Sequence, residues 1–187
     1  LVEEMGGTLF TIAKDVKFQV EFNPQYVSEY RLVGYENRLM NDQDFFDDTK
    51  DAGEIGSGHT VTALYEITPV GNEIPLKYQP EEEAEAVSEF TDEWLTVSVS
   101  YKEPDSDESS ILKFPVGKDH ITDFPSENMQ FASCVAEFGM LLRGSEYSGG
   151  ITYNDILKTL HSLDCISQDK YKQEFAELVK IVSENYN

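Results

Sequence analysis

The stretch Ala13-Lys14-Asp15-Val16-Lys17-Phe18-Gln19-Val20-Glu21-Phe22-Asn23-Pro24, with Tyr30-Arg31-Leu32-Val33-Gly34-Tyr35-Glu36-Asn37-Arg38 after it, decides the fold class. From Val16 the apolar residues Val16, Phe18, Val20 and Phe22 alternate with Lys17, Gln19, Glu21 and Asn23. Period two is the pattern of a strand with one covered and one wet face. Asn23-Pro24 ends it, because proline has no N–H to give a ladder and restricts the residue before it. The second segment carries aromatic and aliphatic residues at nearly every position from Tyr30 to Tyr35. That density predicts a central strand covered on both faces.

Downstream, Thr60 to Pro69 places Val61, Ala63, Tyr65 and Ile67 on one side of a third strand, and Trp94 to Tyr101 alternates in the same way. Pro104-Asp105-Ser106-Asp107-Glu108-Ser109 is a polar turn into Ile111-Leu112-Lys113-Phe114, so these last two runs read as a hairpin. Beyond Pro115 the period changes to 3.6. Ser126 can cap a helix striped by Phe131, Val135, Phe138 and Leu142, with Ala132, Ala136 and Gly139 beside the stripe for close approach. Thr152 to Asp155 is a capping-box variant, and Tyr171, Phe175, Leu178, Val179 and Val182 repeat the stripe. Strands followed by helices give an α+β class, not βαβ winding. The expectation is an antiparallel β-sandwich-like domain over 14–118 and a three-helix segment over 119–187 packed on it. Ahead of them, Leu1, Met5, Leu9 and Ile12 make a helical stripe over 1–13, read as the tail of an upstream domain.

The 187 residues carry 36 acidic and 14 basic side chains, a net charge of −22 that repels phosphate backbones and anionic headgroups. Nucleic acid and direct membrane insertion are therefore not expected, and no run approaches the length of a membrane span. Cys134 and Cys165 have no metal-ligand spacing and read as free thiols.

Candidate chemistry is sparse. No nucleophile elbow, HExxH or dinucleotide fingerprint occurs, and His59, His120 and His161 show no metal spacing, so no enzyme activity is expected. The run from Asn41 to Glu54 offers Asp42, Asp44, Asp47, Asp48, Asp51 and Glu54 as ligands for calcium. Placing Asp48 first in an EF-hand loop sets Lys50 at loop position three, where a cation opposes a metal. An irregular acidic loop anchored by Phe45 or Phe46 is the favoured reading, and calcium the alternative. Gly56-Ser57-Gly58-His59 reads as a turn, since it lacks a P-loop lysine and opens a strand. Only three arginines occur in so acidic a chain. Arg31, Arg38, His59, Arg143, Ser145 and Tyr147 are the candidate contact residues for a protein or glycan, with internal ion pairs as the plainer use of the arginines.

Ile12 to Lys17, Val20 to Pro24, Tyr30 to Arg38, Asp51 to Gly56 and Gly58 to Glu66, together with Phe131 to Tyr147, resemble the uncharacterised region that follows the von Willebrand factor A domain in bacterial envelope proteins. The resemblance covers nearly the whole chain and is loose across Gln79 to Asp92. It implies that residues 1–13 close the last helix of an upstream A domain, and that the parent is secreted or lipid-anchored, at the periplasm or cell surface. The Asp-x-Ser-x-Ser loop through which such A domains hold a cation is absent here, so no metal site is carried over. The resemblance lends no activity.

Overall fold

Strand β1 (Thr11–Phe22) forms where the period-two run was read, and it starts at Thr11, so Thr11 to Ala13 are strand. Asn23 and Pro24 end it. Asn23 Oδ1 accepts from Gln25 N at 3.0 Å, and Tyr26 N and Val27 N both close on the Asn23 carbonyl, turning the chain into β2 (Val27–Val33). The remaining strands are β3 (Gly53–Gly56), β4 (Leu64–Pro69), β5 (Glu93–Lys102) and β6 (Ser109–Gly117). This computed structural model describes residues 10–35, 40–47, 49–50, 52–71 and 92–186; of the helix expected over 1–13, residues 1–9 lie outside them, as does Gln79 to Thr91 of the loosely matching stretch. Two compact units divide the chain, Leu1–Ile121 and Thr122–Asn187.

All strand pairings in the first unit are antiparallel, which confirms the α+β class. A four-stranded sheet has the order β3-β1-β5-β6, and β2 pairs with β4 in a two-stranded sheet. Two sequence expectations change here. β2 is not central: among the described residues its one neighbour is β4, and Tyr30 is exposed. The central strands are β1 and β5. β3 lies in a segment read as the end of an acidic loop, and four residues bounded by glycine are too short to show a period. The two sheets meet through aromatic rings. Phe22 stacks on Tyr30 at 4.4 Å and meets Tyr65 edge-on at 5.4 Å, while Tyr26 stacks on Trp94 at 5.3 Å.

In the second unit, helix α1 (Glu127–Arg143) begins at Ser126, whose Oγ accepts from Met129 N at 3.2 Å. It ends at Gly144 with φ +61°, where Gly144 N and Ser145 N return to the carbonyls of Leu141 and Met140. Left-handed backbone at that position favours glycine. Helix α2 (Tyr153–Ser162) opens on the capping box expected at Thr152 and Asp155, the short α3 (Asp164–Ser167) follows, and α4 (Lys170–Tyr186) closes the unit. The core joins Cys134 and Phe138 of α1, Ile156 and Leu160 of α2, and Val179 of α4. Phe138 meets Tyr153 and Phe175 edge-on at 5.9 and 5.5 Å. The buried stripe of α1 is rotated from the expected one. Phe131, Cys134, Phe138 and Leu141 face inward, Val135 and Leu142 are exposed, and nothing lies within 4 Å of a Cβ built at Gly139. In α4, Phe175, Val179 and Val182 pack inward, whereas Tyr171 and Leu178 are exposed.

Candidate functional site

Lys14-Asp15 sits just upstream of the alternating run, and the strand bends there. Lys14 pairs with Lys102 and Lys17 with Ser100, so β1 spends three steps where β5 spends two. The β1–β3 register shifts at the same place, between Ala13 and Val16. This is a β-bulge, with Asp15 at φ +52°. Aspartate tolerates the left-handed region better than most residues, which suits it to the position.

The bulge turns the Asp15 carboxylate onto the face of β1 that carries Lys17. Asp15 Oδ2 lies 2.9 Å from Lys102 Nζ and 3.6 Å from Lys17 Nζ. Lys17 Nζ also donates to the Asp47 carbonyl at 2.7 Å. That carbonyl follows a 3-10 turn, Asp42–Phe46, which packs against β1 and buries Phe45. Lys17, expected on the wet face, is consequently 3% exposed, and Ser98 and Ser100 on the same face are buried. Asp15 Oδ1 is buried with no hydrogen-bond partner among the described residues. Asp15 thus sits between two lysine ammonium groups. Its geometry locks the bulge and ties the 3-10 turn to the sheet.

The opposite face of the sheet is apolar. Residues directly opposite share a face. Phe18, Val99 and Leu112 form one row, Val20, Val97 and Phe114 a second, and Phe22, Leu95 and Val116 a third. β2 and β4 cover the third row through the Phe22 rings contact, but Phe18, Leu112 and Phe114 are 57%, 46% and 50% exposed. Sequence alternation identified the row members in β1 and β5; it assigned them to the interior, because periodicity separates two faces without saying which one is covered.

The sequence-derived contact residues scatter. Arg31 pairs with Glu66, directly across from it on β4. His59 is exposed in the turn after β3, its N–H on the Gly56 carbonyl at 3.1 Å, and Gly58 at φ +79° makes that turn. Arg143, Ser145 and Tyr147 are brought together at the end of α1, where Ser145 Oγ accepts from Tyr147 N at 3.3 Å. Arg38 lies outside the described residues. Among the acidic-loop candidates, Asp44 Oδ2 accepts from Asn41 N and Nδ2, and its Oδ1 faces Lys50 at 3.9 Å. Asp47 Oδ1 accepts from Thr49 N and Oγ1, bonds that hold its carboxyl below its ordinary range. Glu54 accepts from Thr11 Oγ1 at 3.2 Å. Asp42 begins the 3-10 turn, and Asp48 and Asp51 lie outside the described residues. Among the described residues no three His, Cys, Asp or Glu side chains gather as a metal set.

Within the helical unit, a cleft of about 440 Å³ opens beside Glu127, Cys165, Asp169 and Lys172. Its polar groups are used as ties. Glu127 accepts from Asp164 N at 3.2 Å and Cys165 N at 2.8 Å, joining the first turn of α1 to the start of α3, and the Cys165 bond holds its carboxyl below the usual range. Lys172 donates to Asn128 Oδ1 at 2.8 Å and lies 5.0 Å from the Phe131 ring centroid. Both thiols are free, and burial pushes that of Cys134 up to about 11.

Residues 7–184 match the family described as "Uncharacterized protein YfbK, C-terminal". The chain is also similar to the uncharacterized protein YfbK of Escherichia coli (strain K12), 38% identical over 184 residues. That alignment covers 97% of this chain and 32% of the relative, so the chain spans about a third of the relative's length. No solved structure matches. This chain, an antiparallel β unit with an ionic cluster at its bulge followed by a helical unit tied by its own caps, belongs to the YfbK C-terminal family.

Proposed function

We propose that this segment is a non-catalytic scaffold and interaction module of a longer bacterial envelope protein, in which it accompanies a von Willebrand factor A domain and meets a protein or glycan partner. The observation that carries the reading is the mismatch of coverage: nearly all of this chain aligns with about a third of its relative. A segment that recurs as one part of a larger chain is suited to an accessory role. The geometry supports the same reading, because the buried ionisable groups hold a bulge and the polar groups beside the helical cleft hold helix ends. Export to the periplasm or cell surface belongs to this proposal. Its test is a pull-down from envelope extract with immobilised residues 14–187, compared with the same segment joined to its upstream domain. A common partner retained by both forms is the expected result. Capture of no partner by either form overturns the interaction part of this reading.

A further inference from the structure

We propose that the exposed apolar face of β1, β5 and β6 is the docking surface for the N-terminal remainder of the longer protein. This rests on the reading of the chain as one module of such a protein. A sheet with one wet side turns its polar residues to water. Here the assignment is partly inverted: Lys17, Ser98 and Ser100 are covered, while Phe18, Leu112 and Phe114 in the rows Phe18, Val99, Leu112 and Val20, Val97, Phe114 are about half exposed and the valines between them partly so. Three strands about 4.8 Å apart and two rows about 7 Å apart make a contiguous patch of roughly 200 Å². It continues a contact already present, since Phe22 in the next row packs against Tyr30 and Tyr65. β2 and β4 therefore cover one end of this face, Val16 is buried at the other, and Phe18, Leu112 and Phe114 between them stay half exposed.

The mode of docking follows from β6. Among the described residues it is the outer strand, and Lys113 and Pro115 lie along it. A charge and a residue without an N–H both discourage strand addition at an edge. The surface is built for packing face to face.

The choice of occupant follows from charge and length. Two copies of a chain with net charge −22 repel one another on approach, which disfavours self-association through this patch. About two thirds of the relative's length lies outside the matched segment, and a tethered neighbour acts at an effective concentration on the order of millimolar. The partner surface is accordingly apolar at its centre and neutral or basic around it.

The test uses the complete protein and the 187-residue segment, each carrying Phe114→Cys or Lys113→Cys, with maleimide labelling of the β6 peptide read by mass spectrometry. Phe114 and Lys113 are consecutive in β6 and point to opposite faces. Labelling of Phe114→Cys about tenfold slower in the complete protein than in the segment, with Lys113→Cys labelled alike in both, is the expected result. Equal labelling of Phe114→Cys in the two forms overturns the proposal. Protection already present in the segment overturns it too, naming a second copy if it grows with concentration and a cover from within the segment if it does not. An empty pull-down beside a protected Phe114→Cys would count against an outside partner and leave this surface standing.

Discussion

Replacing Asp15 by asparagine removes the one anion shared by Lys17 and Lys102 while keeping a residue that tolerates φ +52°. At an effective dielectric near 20, the 3.6 Å and 2.9 Å pairs are worth about 5 and about 6 kcal/mol of gross attraction. Desolvation cancels most of that in the intact cluster, but deletion of one partner leaves buried charge uncompensated, at about 3–5 kcal/mol. Here the deletion removes the carboxylate beside two ammonium groups, one of them on Lys17 with little access to water. With a urea slope of about 2 kcal/mol/M, a loss of about 3 kcal/mol lowers the unfolding midpoint by about 1.5 M. Lys17→Met is the milder change, roughly half as large, because Asp15 keeps Lys102. Asp15→Gly falls between them, losing the same charge but relieving about 1 kcal/mol of left-handed backbone strain. Trp94 is the single tryptophan and stacks on Tyr26, so its fluorescence follows this unit alone. A midpoint for Asp15→Asn equal to or above that of Lys17→Met refutes the shared-anion account.

Gly117→Ala brings a methyl group to 2.9 Å from the Asp92 carbonyl and destabilises the β unit by about 1–2 kcal/mol, measured by the same fluorescence titration. Acid weakens the helical unit: the Asp155 carboxyl is held below its ordinary 3.8 by the Thr152 side chain and N–H, and Glu127 below 4.5 by Cys165 N. Depressed carboxylates contribute stability above their unfolded values and lose it as pH falls through the folded ones, so the far-UV melting temperature drops below about pH 4 and Asp155→Asn flattens that drop. Glu137 has the opposite sign, raised by burial and then by Asp155, so Glu137→Gln raises the melting temperature at pH 7. Thiol titration of the native protein modifies Cys165 first, and Cys134, 1% exposed within the helical core, reacts only on unfolding; rapid reaction of both contradicts that core.

Local signals were legible in the sequence wherever a few neighbouring residues determine the structure. Asn23-Pro24 ended β1, Ser126 capped α1, Thr152 and Asp155 opened α2, and the turn at Ser106 joined β5 to β6. Long-range partners were not legible. Tyr30 to Tyr35 looks central because aromatic density marks burial, yet those residues meet another sheet through Phe22 on one side and solvent on the other. Lys17 carried the period-two signature of a wet face until Asp47, 30 residues away, closed over it. The bulge did leave a trace: Lys14 and Asp15 are consecutive charges at the head of an otherwise regular alternation, which is how an extra residue in a strand reads. The arginines attracted notice by rarity, a poor guide, since Arg31 is paired with the residue across from it.

On the docking proposal, the outward apolar rows of the sheet hold this module against the rest of its protein. Small-angle scattering of the complete protein, wild type against Phe18→Ser with Phe114→Ser, tests it most directly. Both substitutions fall on half-exposed side chains, so the segment's own circular dichroism stays the same. The account predicts a larger radius of gyration for the variant as the two parts separate. An unchanged radius, with both proteins folded, would contradict it.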